Sequence, residues 1–157
     1  MQKIEEKTVI QTQPEKVWNF LTSLHEGDNY HRWHPKDHIR HWVEKGDMQT
    51  VGSEAYFEER LGTFTLKLRY RLTVARYPEY LEYEAAFPLS LFHAGIASFT
   101  IRPIDPNSTE LTAYVEYGYR IPLIGSLIDS LISLFVHRAD VEKHIREEGE
   151  NMRQILI

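Results

Sequence analysis

His144 and Glu148 stand four residues apart near the end of the chain, so a helix would place both on one face. An imidazole and a carboxylate at that spacing can grip one divalent metal ion. Near the other end, residues 30 to 41 carry four of the eight histidines: His31, His34, His38 and His41. Trp33, Pro35, Asp37 and Trp42 are interleaved with them, which excludes a purification tag. The chain contains no cysteine, so thiolate ligation, disulfides and cysteine nucleophiles are ruled out. The pattern predicts a metal site that joins the two ends of the chain. His38 or His34 would supply a ligand from the first segment, and Asp37 could orient a ligand ring.

A further carboxylate comes from Glu58 or Glu59. They are neighbours on a predicted strand and point to opposite faces. A two-residue turn at Leu61-Gly62 would put Glu59 opposite Phe64 and Phe57 opposite Leu66, with Glu59 inside and Glu58 in water. A three-residue turn would reverse the choice. An unpaired carboxylate against Phe64 would cost several kcal/mol if fully desolvated, and a bound cation or a paired arginine removes that cost. Two neutral imidazoles with two carboxylates balance a divalent charge. Nitrogen and oxygen ligands suit Zn²⁺ best, though Mn²⁺ and Fe²⁺ share the preference.

These residues need a scaffold, and the chain suggests one. Its 157 residues suit a single domain spanning 1–157, and 42% apolar with 26% charged residues is ordinary for a globular protein. The net charge of −5 comes from mixed acidic and basic residues with no basic stripe, which argues against nucleic acid. The polar start, Met1 to Lys7, does not resemble a secretory signal, and the lack of cysteine fits a reducing cytoplasm. The most apolar stretch, Ile121 to Val136, is too short and too interrupted to span a bilayer. No phosphate-cradling glycine loop or nucleophile elbow occurs.

Val9 and Ile10 close a short first strand. Pro14 opens a helix at an early position where its missing N–H costs nothing, and Val17, Phe20, Leu21 and Leu24 recur at helical spacing. Loop or broken helix follows through the histidine segment. From about Ile39 to Tyr119 the period is two, clearest where Phe64, Leu66, Leu68, Tyr70, Leu72 and Val74 alternate with polar residues. Strands are predicted over Val51 to Arg60, Leu81 to Phe87, Phe92 to Ile101 and Leu111 to Tyr119. After Pro122 one long helix is expected, with Leu127, Leu131, Leu134, Val141, His144, Glu148 and Met152 on one stripe and His137 near the same face. Gly149 inside it costs a little helix stability. The expected fold is α+β: a curved antiparallel sheet wrapped around a long C-terminal helix, with a cavity between them.

This order, with Pro14-Glu-Lys-Val-Trp18 in the first helix and Val51-Gly52-Ser53 entering a strand, resembles the START-like helix-grip (SRPBCC) superfamily. Tyr30-His-Arg-Trp33-His34-Pro35-Lys-Asp37-His38, then Gly46-Asp47, Tyr56-Phe57-Glu58-Glu59 and His144-x-x-x-Glu148, resembles the 2,4-diacetylphloroglucinol hydrolase family more specifically. That resemblance implies a zinc ion in the cavity, held by His38, Glu59, His144 and Glu148. It also implies hydrolysis of a carbon–carbon bond between an acyl group and a phenolic ring. Tyr30 and His41 would match substrate-contacting groups, and His93 a further cavity histidine. With Tyr117, they are the candidates to hold phenolic oxygens or deliver a proton.

Three functions compete at this point. One is a metal-dependent hydrolase acting on a small hydrophobic carbonyl compound. Another is a carrier or sensor for a hydrophobic ligand without turnover. In the third, the ion only ties helix to sheet. Exposed apolar residues of the last helix would suit a homodimer contact.

Overall fold

The computed structural model describes residues 1–86, 95–119 and 124–157. Seven antiparallel strands form one curved sheet: β1 (Gln2–Ile10), β2 (His38–Lys45), β3 (Glu54–Leu61), β4 (Phe64–Arg76), β5 (Tyr80–Ala85), β6 (Gly95–Asp105) and β7 (Ser108–Tyr117). Their order across the sheet is β1-β7-β6-β5-β4-β3-β2. Helices α1 (Pro14–Thr22) and α2 (Asn29–Trp33) lie between β1 and β2, and α3 (Gly125–Ser133) and α4 (Arg138–Ile155) follow β7.

Local chemistry explains most of these boundaries. Gln13 is extended and Pro14 starts α1, whose Val17, Trp18, Phe20 and Leu21 are buried. The Gly46-Asp47 and Val51-Gly52-Ser53 motifs form the link between β2 and β3. Asp47 Oδ1 accepts the N–H groups of Gln49 and Thr50, both at 2.9 Å, and Ser53 Oγ donates to the Thr50 carbonyl at 2.7 Å. Gly46 has φ +79° and packs against Ser53 too closely for a Cβ.

The turn after β3 lies one residue later than expected. Leu61 pairs with Phe64, so Gly62 and Thr63 make the bend, with Gly62 at φ +64°. Leu61 stays in the strand because it is buried with Ile4, Val141 and Ile145. Glu59 therefore faces Leu66, not Phe64, and Phe57 faces Leu68. The loop is still two residues long, so the parity of the pairing survives and Glu59 keeps the inward face.

The expected single C-terminal helix is two helices. His137 has extended backbone and precedes α4 as its N-terminal cap residue, exposed to solvent. The two helices have different anchors. Asp129 ties α3 to the Met1 ammonium at 2.5 Å and to the Tyr119 N–H at 2.8 Å. Val141, Ile145 and Met152 bury α4, which packs chiefly on β1 and also meets β3, β7 and α2. The expected stripe therefore breaks: Leu127, Leu131 and Leu134 are exposed, while Val141, His144, Glu148 and Met152 are buried.

Gly149 has a purpose beyond helix propensity. A Cβ there would overlap Thr8 Oγ1 on β1. Alanine would gain up to about 1 kcal/mol of helix propensity but force the helix off the strand, which costs about 1–3 kcal/mol. Gly149→Ala should therefore lower the urea midpoint, and Gly149→Ala with Thr8→Ala should recover it. Equal or higher stability in the single variant would refute the close-approach explanation. No helix among the described residues is long and apolar enough to cross a membrane.

Candidate metal centre

Three elements bring the candidate ligands together. The β2–β3 register sets His38 directly opposite Glu59, so the two side chains share one face of the sheet. Helix α4 presents His144 and Glu148 from above, one turn apart on its buried face. Helix α2 is tied to α4 by Asn151 Nδ2, which donates to the Trp33 carbonyl at 3.0 Å.

The ligand atoms of His38, Glu59, His144 and Glu148 all lie within 4.8 Å of one another. His38 Nε2 is 2.9 Å from Glu148 Oε1 and 3.6 Å from Glu59 Oε2. His144 Nε2 is 3.4 Å from Glu148 Oε1 and 3.7 Å from Glu59 Oε2. A tetrahedron with metal–ligand bonds of about 2.0–2.1 Å has edges near 3.4 Å, so these separations bracket a zinc-sized site.

The outer ring nitrogens strengthen the fit. His38 Nδ1 donates to the Tyr30 carbonyl at 2.8 Å, and His144 Nδ1 lies 3.2 Å from Asp37 Oδ2. Each contact places a hydrogen on Nδ1 and turns Nε2 inward. His144 Nε2 is buried, and the carboxylates it faces at 3.4 and 3.7 Å do not meet it in hydrogen-bond geometry. A cation between the two imidazoles and two carboxylates would satisfy that atom and neutralise both acids.

The electrostatics show how the protein balances these charges by itself. Burial alone would lower the His144 pKa, but the Glu148 and Glu59 carboxylates outweigh it and hold the imidazolium form well above the ordinary range. Burial alone would raise Glu148, yet His144 and His38 hold it below the usual carboxylate value. A proton thus occupies His144 where a metal would bind.

His34, the other candidate from the first segment, lies one layer out. Its Nε2 is 3.0 Å from Glu147 Oε2, and its ring stacks on His144 at 4.6 Å between centroids. Tyr30 is buried, stacks on His38 at 4.0 Å and donates its hydroxyl to Glu59 Oε2 at 3.0 Å. Burial, then the Glu59 charge, pushes the Tyr30 phenol well above its usual value, so it remains a donor. His41 lies beside Tyr30, with ring centroids 4.9 Å apart, and its Nε2 meets the Tyr70 hydroxyl at 2.6 Å. Sequence reasoning missed Tyr70, which sits on the apolar stripe of β4, where its ring looked like packing.

Burial, then His25 and His38, pushes His41 down to about 4. The unfolded chain takes up this proton first, at the ordinary value of 6.5. The resulting stability is present above that value and is lost as pH falls towards the folded value, by about 2–3 kcal/mol. His41→Gln should flatten the decline in urea midpoint between neutral pH and about pH 4.5. An unchanged slope would count against a buried neutral imidazole.

Two other candidate residues fare differently. Tyr117 is not among the residues gathered at the cluster. It lines a separate cleft of about 140 Å³ with Gln2, Gly118, Asp129, Ile132 and Arg138. Its place at the end of β7 puts it beside α3 and the start of α4. His93 lies outside the described residues. Among the described residues, a small space lies between α4 and the sheet. The space beside Glu148, lined also by Trp33, Phe99, Leu111 and Met152, measures about 10 Å³, room for one water. Aromatic rings line the adjoining interior: Trp33 meets Phe99, Phe99 meets Tyr83, and Tyr83 meets Tyr70.

A sequence-family comparison decides the broader placement. The polyketide cyclase/dehydrase and lipid transport family matches residues 1–155. The chain belongs to this family. No curated protein sequence matches it. Solved structures share the fold at low identity. A START superfamily protein from Mycobacterium smegmatis is 11% identical with TM-score 0.67, covering 98% of this chain and 96% of its own. Major latex-like protein 151 from Panax ginseng is 9% identical with TM-score 0.70, covering 99% of this chain and 97% of its own. Norcoclaurine synthase from Thalictrum flavum, solved with dopamine and hydroxybenzaldehyde, is 10% identical with TM-score 0.64, covering 98% of this chain and 87% of its own. The START-like helix-grip fold is thus established for this chain.

Proposed function

We propose that this member of the polyketide cyclase/dehydrase and lipid transport family is a metal-dependent hydrolase of small hydrophobic carbonyl compounds. The favoured substrates are acylphenols, cleaved at the bond between acyl carbon and ring. The observation that carries this reading is the inward pairing of two imidazole Nε2 atoms with two carboxylates at 2.9–3.7 Å. The resemblance to the 2,4-diacetylphloroglucinol hydrolases supports the reaction class.

His38, Glu59, His144 and Glu148 would hold the ion, zinc being the best match to the donor set. When bound, it would supply Lewis acidity towards a carbonyl oxygen and a water of lowered pKa. The chain's own residues supply the rest. Tyr30, anchored on Glu59, offers a protonated phenol beside the ligand set. His41 and Tyr70 offer polar atoms within an aromatic wall that suits a flat ring. The net reaction adds water across the acyl–ring bond: the acyl carbon leaves as a carboxylic acid and the ring carbon gains a proton.

Four protein ligands favour a closed structural site, so turnover requires a fifth position or a ligand that moves aside.

The test has two readouts. Purified protein reconstituted with zinc should retain about one equivalent and release a carboxylic acid from mono- or diacylated phloroglucinols. His144→Ala should abolish both. Metal retention below about a tenth of an equivalent would end the reading.

A second reading is non-catalytic binding of a hydrophobic ligand, favoured by the lipid transport part of the family description. Recovery of an intact ligand from the protein, with no turnover of acylphenols by the zinc form, would select it.

A further inference from the structure

We propose that Asp37 is the positioning residue for His144. It fixes which ring nitrogen faces the cluster and so sets how tightly the cluster holds a cation. This rests on the reading that His144 donates through Nε2.

Five consecutive residues, His34-Pro-Lys-Asp-His38, act on two ligands at once. His38 is one ligand itself. Asp37 reaches across to α4, where its Oδ2 lies 3.2 Å from Nδ1 of His144, 107 residues away in sequence. The preceding turn is tight: the N–H groups of Asp37 and His38 both donate to the His34 carbonyl, at 3.2 and 2.9 Å. Pro35 holds His34 in extended backbone, at φ −146° and ψ 84°. That conformation lays the His34 ring flat on His144, at an interplanar angle of 12°. Hydrogen bond and stacked ring together restrict both the rotation and the tilt of His144.

The same residues invite another interpretation, a second cation site, because His34, Asp37 and His144 also lie within 4.8 Å of one another. Their hydrogen bonding argues against it. Asp37 N–H reaches His34 Nδ1 at 3.2 Å, which makes Nδ1 the acceptor and leaves the hydrogen on Nε2. Nε2 then donates to Glu147 Oε2 at 3.0 Å. The ring nitrogens of this outer group are therefore matched by protein partners, unlike the inward Nε2 of His144. The two ligand rings also differ in support. His38 leans on a neutral carbonyl, whereas His144 leans on a carboxylate, which makes its imidazole the stronger donor.

Zinc affinity measured by competition with a chromophoric chelator tests the assignment, using wild type, Asp37→Ala and Asp37→Asn. Asp37→Ala should weaken binding by about 10–100-fold, and Asp37→Asn by less, since its amide still accepts a hydrogen bond. Nuclear magnetic resonance of the histidine rings gives a second readout. A slowly exchanging His144 Nδ1–H should be present in the metal-free and zinc forms of wild type and lost in Asp37→Ala. Wild-type affinity in Asp37→Ala, or persistence of that protected ring hydrogen, would overturn the proposal. If wild type itself binds no zinc, the metal reading fails and takes with it the effect on affinity. The ring hydrogen in the metal-free protein then still decides whether Asp37 positions His144. Asp37→Asn preserves size and shape, so the comparison stands even if the alanine variant folds poorly.

Discussion

His144→Ala should lower the unfolding free energy of the metal-free protein by about 3 kcal/mol. Glu148 is the reason. Its side chain is only 12% exposed and its carboxylate faces two imidazoles. Removing His144 leaves His38 Nε2 at 2.9 Å but takes away the second partner, and Glu59 loses its 3.7 Å neighbour as well. The remaining partner keeps the cost at the lower end of what breaking a buried pair usually incurs. The pH dependence follows from the two shifts. The folded His144 value is raised, so its contribution is full below the ordinary 6.5 and fades as pH climbs through the raised value. The folded Glu148 value is depressed, so its contribution is present above the ordinary 4.5 and fades as pH falls through the lowered value. The variant should therefore lose most near pH 5–6. Adding Glu148→Gln should restore most of the stability, because an amide needs no counter-charge. A double variant no more stable than His144→Ala would show that lost packing, not charge, is responsible.

Zinc uptake should release about one proton at neutral pH and tighten about tenfold for each unit of pH between 6 and 8. The cause is the competition at His144. Its neighbours hold the ring protonated in the metal-free protein, and a metal can reach Nε2 only when that proton leaves. Calorimetry in buffers of different ionisation enthalpy counts the proton directly. Affinity that does not change with pH would mean that His144 is not a ligand. Glu148→Ala and His38→Ala should each weaken binding by at least about 100-fold, more than loss of an outer-layer partner costs. At a free zinc concentration a hundred times Kd, wild type should gain about 2.7 kcal/mol of stability, and the two variants should gain little. Equal zinc-dependent stabilisation in Glu148→Ala would remove that carboxylate from the site.

Several features of this protein are written locally and were legible in the amino-acid order. The i,i+4 spacing of His144 and Glu148 put them on one helical face, and the structure buries that face. The period-two run from Phe64 to Val74 became β4. The inward choice of Glu59 over Glu58 survived even though the expected turn was one residue out. Strand faces depend only on parity, and the loop kept two residues. Other features depended on contacts between distant segments. Burial of Leu61 against Val141 and Ile145 moved the turn. Separate anchoring of Asp129 and Val141 broke the last helix. The approach of α4 to the β2–β3 pair selected His38 over His34 for the inner ring of residues and gave Asp37 its partner, while the curvature of the sheet brought Tyr70 to His41.

Amino-acid order alone therefore specified six of the seven described strands and the helical face shared by His144 and Glu148, because periodicity and residue chemistry act over a few positions. It did not specify β2, which begins at His38 inside a stretch expected as loop or broken helix. Long-range packing chose the inward histidine and put Tyr117 in another cleft. Those outcomes depend on how closely α4 settles on the sheet, and that distance is set by side chains more than a hundred residues apart.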